Sequence, residues 1–364
     1  AGNCGGNSGI TFPAAKTVYW NLAGAQNWSA TAWAPSSGGT PDINQFPLAQ
    51  DTAVFDNTGS VTGLISFDAN WNVGTFNASA RTSAMTFNAG GGSVAANVYG
   101  NWLSGTGLTI FDNSGVITFG GRSTQTITSN GVTFGCPVTI NAFATTVQLA
   151  DALIVGSNRT LTLTLGTFDA VSYNVTTGVF LNSANTTILK MGSGTWTLSG
   201  VGNLWGMSST PSAIYKGTAN IVLSDTSASP RSFIGGGLSY NKLTIGGTTG
   251  ISTLTITGNN QFTELASTKT VAHTIALGAT TQTFGKWTVT GTIGNVVTLT
   301  GTGTSHVLAG AATSGIDYLA MGSIGFAATS PGEFYAGANS TGTAAAPVYR
   351  TAKPADSTRY WVGG

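Results

Sequence analysis

Twelve carboxylates, two histidines, two cysteines and nine tryptophans are the first places to look for chemistry in this 364-residue chain. Two carboxylates held about 5 to 9.5 Å apart across a sugar chain would cleave a glycosidic bond. Four of the twelve, Asp56, Asp68, Asp112 and Asp169, directly follow a Phe. Asp placed so in a β-rich chain reads as an Asx-type turn at a corner. His273 and His306 lie in β-type runs among Thr and Val. A metal site would need further ligands at close spacing, and neither histidine has them. No Gly-x-Ser-x-Gly elbow accompanies them. Cys4 and Cys136 have no basic neighbour in sequence to activate a thiolate, and two cysteines do not make a disulfide framework; whether they pair is open at this level. Gly90-Gly91-Gly92 and Gly235-Gly236-Gly237 lack the Lys-Ser/Thr that completes a phosphate loop. The expectation is no catalytic residue, no cofactor and no metal. Flat Trp faces could stack on sugar rings. Trp196 and Trp287, however, sit in phase with apolar neighbours and read as interior, and Tyr19, Trp20, Trp28 and Trp33 read as a packed aromatic cluster.

The elements that would position these residues follow from composition. Charged residues are 7% of the chain, against roughly 25% in average proteins. There are 52 Gly and about sixty Thr, and the residues that propagate helices are scarce. Gly without a three-residue period, with 10 Pro, excludes collagen. A net charge of +1 gives no broad attraction to nucleic acid. No run of eighteen apolar residues implies membrane insertion as a helix.

Short runs with a period of two recur between Gly, Asn, Ser and Asp: Val116 to Phe119, Thr124 to Thr128, Val132 to Phe134, Val138 to Asn141, Thr146 to Leu149, Ala152 to Val155 and Thr160 to Thr164. Thr holds the outward face, where a β-branched hydroxyl favours the strand and stays wet without charge. The pattern predicts an all-β, elongated parallel β-solenoid (β-helix) of about a dozen coils, twenty to thirty residues each. Tandem β-sandwiches are the alternative. Leu161, Leu163, Leu165, Trp196, Leu198, Leu254, Ile256, Val289 and Leu299 are expected inside. Residues 1–50, Trp-rich and poor in alternating runs, read as an N-terminal cap over an open sheet edge. Residues 51–340 read as the solenoid body, and 341–364 as a tail, the start of a further unit or an assembly strand.

The opening carries a resemblance. Tyr19-Trp20, Gly24, Asn27-Trp28-Ser29, Trp33, Ser36-Ser37-Gly38-Gly39 and Asp51-Thr52-Ala53-Val54-Phe55-Asp56 are similar to the first unit of repetitive tail-fibre-like or structural virion proteins of tailed bacteriophages. A related opening heads the passenger coils of autotransporter-type adhesins. The similarity continues through Thr139-Ile140-Asn141, Arg159 to Asp169, Tyr173 to Gly178, Gly194 to Gly200 and Tyr335 to Ser340. Ala32-Trp33 stands where the family has Asn-Trp.

The resemblance implies a structural, non-enzymatic fibre or spike segment, with receptor binding as a further role. It would sit in the virion or at a cell surface, as a homo-oligomer among other virion or surface-filament subunits, with a host-surface glycan or receptor as partner. A secreted bacterial adhesin or extracellular filament subunit is the second expectation, and a polysaccharide-cleaving tailspike the third. Arg359-Tyr360-Trp361-Val362 echoes Val18-Tyr19-Trp20. Large aromatics near a chain end favour burial, so Tyr360 and Trp361 are expected to dock as part of an assembly strand.

Overall fold

The alternation of Thr with Val, Ile, Leu and Phe becomes strand after strand, most of them a few residues long and many ended by a Gly, Asn or Asp turn. The structure, a computed structural model, describes residues 3–4, 6, 8–59, 63–89, 94–111, 114–207, 211, 213–247, 249–301, 305–308, 313, 315–322, 324–328, 334–342 and 349–350. Among these there is no α-helix, and the one helical turn is the 3-10 segment Ile43–Gln45. Two compact units divide the chain, residues 1–220 and 221–364.

In the first unit the chain coils past three faces in turn. One face carries Thr52–Val54, Thr75–Asn77, Trp102–Leu103 and Gln125–Thr128, each parallel to the next. A second carries Leu64–Ser66, Met85–Asn88, Leu108–Ile110 and Thr133–Phe134. The third carries Trp71–Val73, Ala95–Val98 and Val116–Phe119. Further on, Val138–Leu149 and Thr160–Asp169 run without a break from the third face round the corner to the first. Coil length varies at the corners: Leu161 pairs with Phe180, whereas Phe76 pairs with Trp102. Corner loops absorb the difference and register is kept on the faces.

The second unit repeats the plan. Arg231–Ile234, Thr253–Thr257, His273–Ala276, Val297–Thr300 and Leu319–Met321 form one parallel stack. Ser239–Ile245, Gln261–Ser267 and Thr283–Trp287 begin the other. Each unit is thus a parallel β-solenoid. Tandem sandwiches would need antiparallel sheets. Apart from an isolated bridge between Thr292 and Asn295, the described antiparallel pairing is Trp33–Ala34 against Thr17–Trp20, whose other edge pairs in parallel with Thr52–Val54.

Parallel pairing in register places each inward residue beside its counterpart one coil on. Ile65 therefore sits beside Phe87, and Phe87 beside Ile110. Phe76 lies flat on Trp102, centroids 3.9 Å apart and planes at 6°. Leu161, Leu163, Trp196, Leu198, Leu254, Ile256, Val289 and Leu299 are all fully buried. Leu165 is not. It is half-buried, because the register shifts between Ile140↔Leu163 and Asn141↔Leu165. The extra residue, Thr164, forms a bulge as the strand turns the corner, and a one-residue insertion reverses the in/out phase beyond it.

Corners also fix backbone conformation. Val171, Gly192 and Gly217 adopt φ of 56°, 72° and 53°. A Cβ at Gly192 would collide with the Val171 carbonyl oxygen, and one at Gly217 with that of Gly192. Coil-on-coil closeness, not local turn preference alone, demands glycine there.

Leu163→Ala is expected to cost about 2 to 5 kcal/mol through transfer and cavity terms, and Leu165→Ala about 1 kcal/mol or less. Urea denaturation of both variants checks this; equal losses would contradict the phase reversal at the bulge.

Candidate functional site

The carboxylates come first, because glycan cleavage would need them free. Asp56 accepts from the backbone N–H groups of Thr58 (2.9 Å) and Gly59 (3.1 Å), and Asp169 from that of Val171 (2.9 Å). Both are the Asx turns that the Phe-Asp pattern suggested. Asp68 differs: it accepts from Ser29, both N–H (3.3 Å) and hydroxyl, so it ties two coils together. Asp112 lies outside the described residues. Asp51 is buried, accepting from the N–H groups of Lys16 (3.0 Å) and Leu48 (2.8 Å) and from the Lys16 ammonium (2.8 Å). Hydrogen bonds from the Asn339 side chain, then from backbone, hold Asp317 below the usual carboxylate range. Burial opposes ionisation of Glu264, yet hydrogen bonds from Lys242 and Thr288 hold it below that range as well.

Neutral side chains make the same inter-coil ties. Asn57 accepts from the N–H groups of Thr82 and Ser83 (3.0 Å each), Asn101 from Thr126 (2.9 Å) and Asn174 from Thr195 (2.8 Å). Buried Gln125 accepts from Gly121 N–H (2.7 Å) and donates to the Val98 carbonyl (2.9 Å). Arg81, 1% exposed, donates to the carbonyls of Ser83, Asp56 and Ala84. Nothing in its sequence neighbourhood distinguished it from a surface arginine.

His273 is buried and holds the corner between Gln261–Ser267 and His273–Ala276. Its Nδ1 faces the Val271 carbonyl at 2.9 Å, so Nδ1 carries the proton. Nε2 then accepts from Ser267 Oγ at 3.0 Å, and Ser267 in turn accepts from Lys269 N–H at 3.3 Å. This is the connectivity of a base beside a hydroxyl nucleophile. His273 is 5% exposed, and these contacts tie the end of Gln261–Ser267 to the start of His273–Ala276. Lys269 beside it is 8% exposed, and its ammonium has no partner among the described residues. Burial pushes the pKa of both Lys269 and His273 down. For His306 only the backbone pairing with Phe326 is described. No cluster of three or more metal-ligating side chains occurs among the described residues. Cys4, half-buried, and Cys136, buried, are not joined in a disulfide. Burial and then contact with the Cys4 thiol push the Tyr99 hydroxyl up to about 12.

The aromatic cluster has the most developed geometry. Trp33 meets Trp20 edge to face at 5.1 Å and Trp28 at 4.8 Å, and all three are 1% exposed. Tyr19 alternates to the outer side of Thr17–Trp20 and is half-buried. Trp28 also stacks on Trp71, centroids 3.7 Å apart and planes at 8°. The sequence pattern missed Trp71, since nothing local brings it to Trp28. These two rings form the floor of an open cleft of about 270 Å³. Phe46 and Leu48 make its wall, and Ser29, Asp68, Asn70 and Asn72 stand exposed at its mouth. Both indole N–H groups, on Trp28 and Trp71, are buried without an acceptor among the described residues. Each such orphan costs about 1 to 3 kcal/mol. Tyr360 and Trp361 lie outside the described residues.

The chain is therefore a member of the class of parallel β-solenoids, with one aromatic-floored cleft in its first unit. Comparison with family models, curated proteins and solved structures returned no match.

Lys269→Met is expected to raise stability by about 1 kcal/mol or more, by removing a buried unpaired donor. Because the folded-state pKa lies below the ordinary 10.5, the unfolded chain binds more protons in the interval between the two. Wild-type stability should therefore fall as pH drops below about 10.5, and His273 should add a second fall below 6.5. Melting temperatures across pH 5 to 10 (a range of about five pH units) should show the variant losing less on acidification than the wild type. Parallel curves would contradict a lowered Lys269 pKa.

Proposed function

We propose that this chain is a structural, non-enzymatic subunit of a virion, a fibre or spike segment of the tailed-phage kind, exposed outside the cell. The observation that supports this best is where the polar groups are spent. Asp51, Asp56, Asp169 and Glu264 are committed to hydrogen bonds within the coils, as are Asn57, Asn101 and Gln125. A fold that directs its few charged and amide groups to corner turns and coil-to-coil ties is suited to stiffness, and its stability sums over neighbouring coils. The sequence resemblance to tail-fibre-like proteins adds the virion setting.

Mass spectrometry of particles purified from lysates of the source host tests the setting. The chain should co-purify with particles, and recovery from the cell-envelope fraction alone would overturn it in favour of a surface adhesin. Incubating the purified chain with host surface polysaccharide should release no reducing ends; sustained release would overturn the non-enzymatic part and make it a cleaving spike.

A further inference from the structure

The cleft over Trp28 and Trp71 has unspent hydrogen-bonding capacity of both signs. Asp68 accepts from Ser29, which uses about half of the four lone-pair sites of an ionised carboxylate. Asn70 turns its Oδ1 to Ala95 N–H (2.7 Å), which leaves its Nδ2 as a donor without a partner among the described residues. Asn72 turns its Oδ1 to Asn97 Nδ2 (3.0 Å), which likewise leaves Nδ2. The two rings that line the cleft carry buried indole N–H groups with no acceptor among the described residues. A metal ion or ammonium would satisfy Asp68 and none of the donors. A phosphate or carboxylate would satisfy the donors and be repelled by Asp68. A hydroxyl does both at once, donating to the carboxylate and accepting from the amides.

The wall and floor limit the choice further. Phe46, Leu48 and the edges of two indoles give apolar surface that a simple polyol would not use, whereas the C–H faces of a sugar ring would. One face of each indole is occupied by the other at 3.7 Å, and with the rings only 1% and 7% exposed they serve as a floor and not as stacking platforms. A volume of about 270 Å³ falls just below the usual small-molecule range, near 300 Å³ and above. That suits a single sugar unit, at the end or side of a longer glycan.

We propose that this cleft is a saccharide-binding site, which takes one neutral sugar residue through Asp68, Asn70 and Asn72 above the Trp28–Trp71 floor. The site lies wholly within the first unit and stands whether or not the chain belongs to a virion.

The test is nuclear magnetic resonance of the full chain with 15N-labelled tryptophan, whose nine indole N–H signals report directly. Trp28→Phe and Trp71→Phe assign the two signals concerned. The methyl glycosides of glucose, galactose, N-acetylglucosamine and rhamnose are titrated in turn, with glycerol as control. At least one glycoside should shift both signals saturably while glycerol does not. Asn70→Asp and Asn72→Asp keep the acceptor that serves the fold and delete the donor. Each should weaken binding by about tenfold at an unchanged melting temperature. Failure of all four glycosides to move the two signals overturns the proposal. So does an equal response to glycerol, or unchanged affinity in both variants.

Discussion

When successive coils pair in parallel and in register, every side chain acquires a neighbour of the same facing about 4.8 Å away. Whatever stands at one level must tolerate its counterpart at the next. Apolar groups tolerate this well, and Phe76 on Trp102 or Phe262 over Phe284 are the outcome. Like charges do not. The scarcity of charge follows from this, and so does the arrangement of the charges that remain. Lys242 pairs with Glu264, and Glu264 with Lys286, a row in which sign alternates from coil to coil. The Lys242–Glu264 contact is 3.0 Å and partly exposed, so it adds little energy. Its meaning lies in what it avoids. Lys190 above Asp169 is the same solution in the first unit.

Corners carry the opposite demand. Faces want identical spacing, but coils differ in length, so corners must take up the excess and still leave no amide unpaired. Neutral side chains do most of this work. Asn and Gln reach across to the backbone of the adjoining coil, and Ser or Thr hydroxyls close shorter gaps. Left-handed residues appear where one coil's carbonyl would meet the next coil's Cβ, as at Gly192 and Gly217. Val171 adopts the same conformation without being glycine, an unfavourable state for a β-branched residue. It begins a column that the two glycines continue.

Much of this was legible in the residues alone. Period-two runs such as Val116 to Phe119 and Ala152 to Val155 named strands within a residue or two, because a solenoid face needs nothing but alternation, whereas Thr160 to Thr164 stopped five residues short of its strand. The interior positions followed for the same reason. Leu165 failed because a bulge is set by the partner strand, whose register the local pattern does not contain. Val138–Leu149 read as two runs, since its corner lacks alternation although the ladder continues. Asp68 looked like Asp56, and only the tertiary placement of Ser29 separates them. The cleft was the least legible feature. Trp28 drew notice as one aromatic of a cluster, whereas Trp71, Asn70 and Asn72 looked like ordinary strand and turn residues.

The corner asparagines have a chemical consequence over long times. Asn57, Asn101, Asn174 and Asn259 serve the neighbouring coil through Oδ1, an oxygen that accepts from a backbone N–H. Asparagine is among the thermolabile residues, and simple deamidation turns it into aspartate. At these corners the acceptor oxygen survives that change, so ageing would alter the surface charge before it loosened the coils. A stored preparation should drift toward acidic isoforms while keeping its fold.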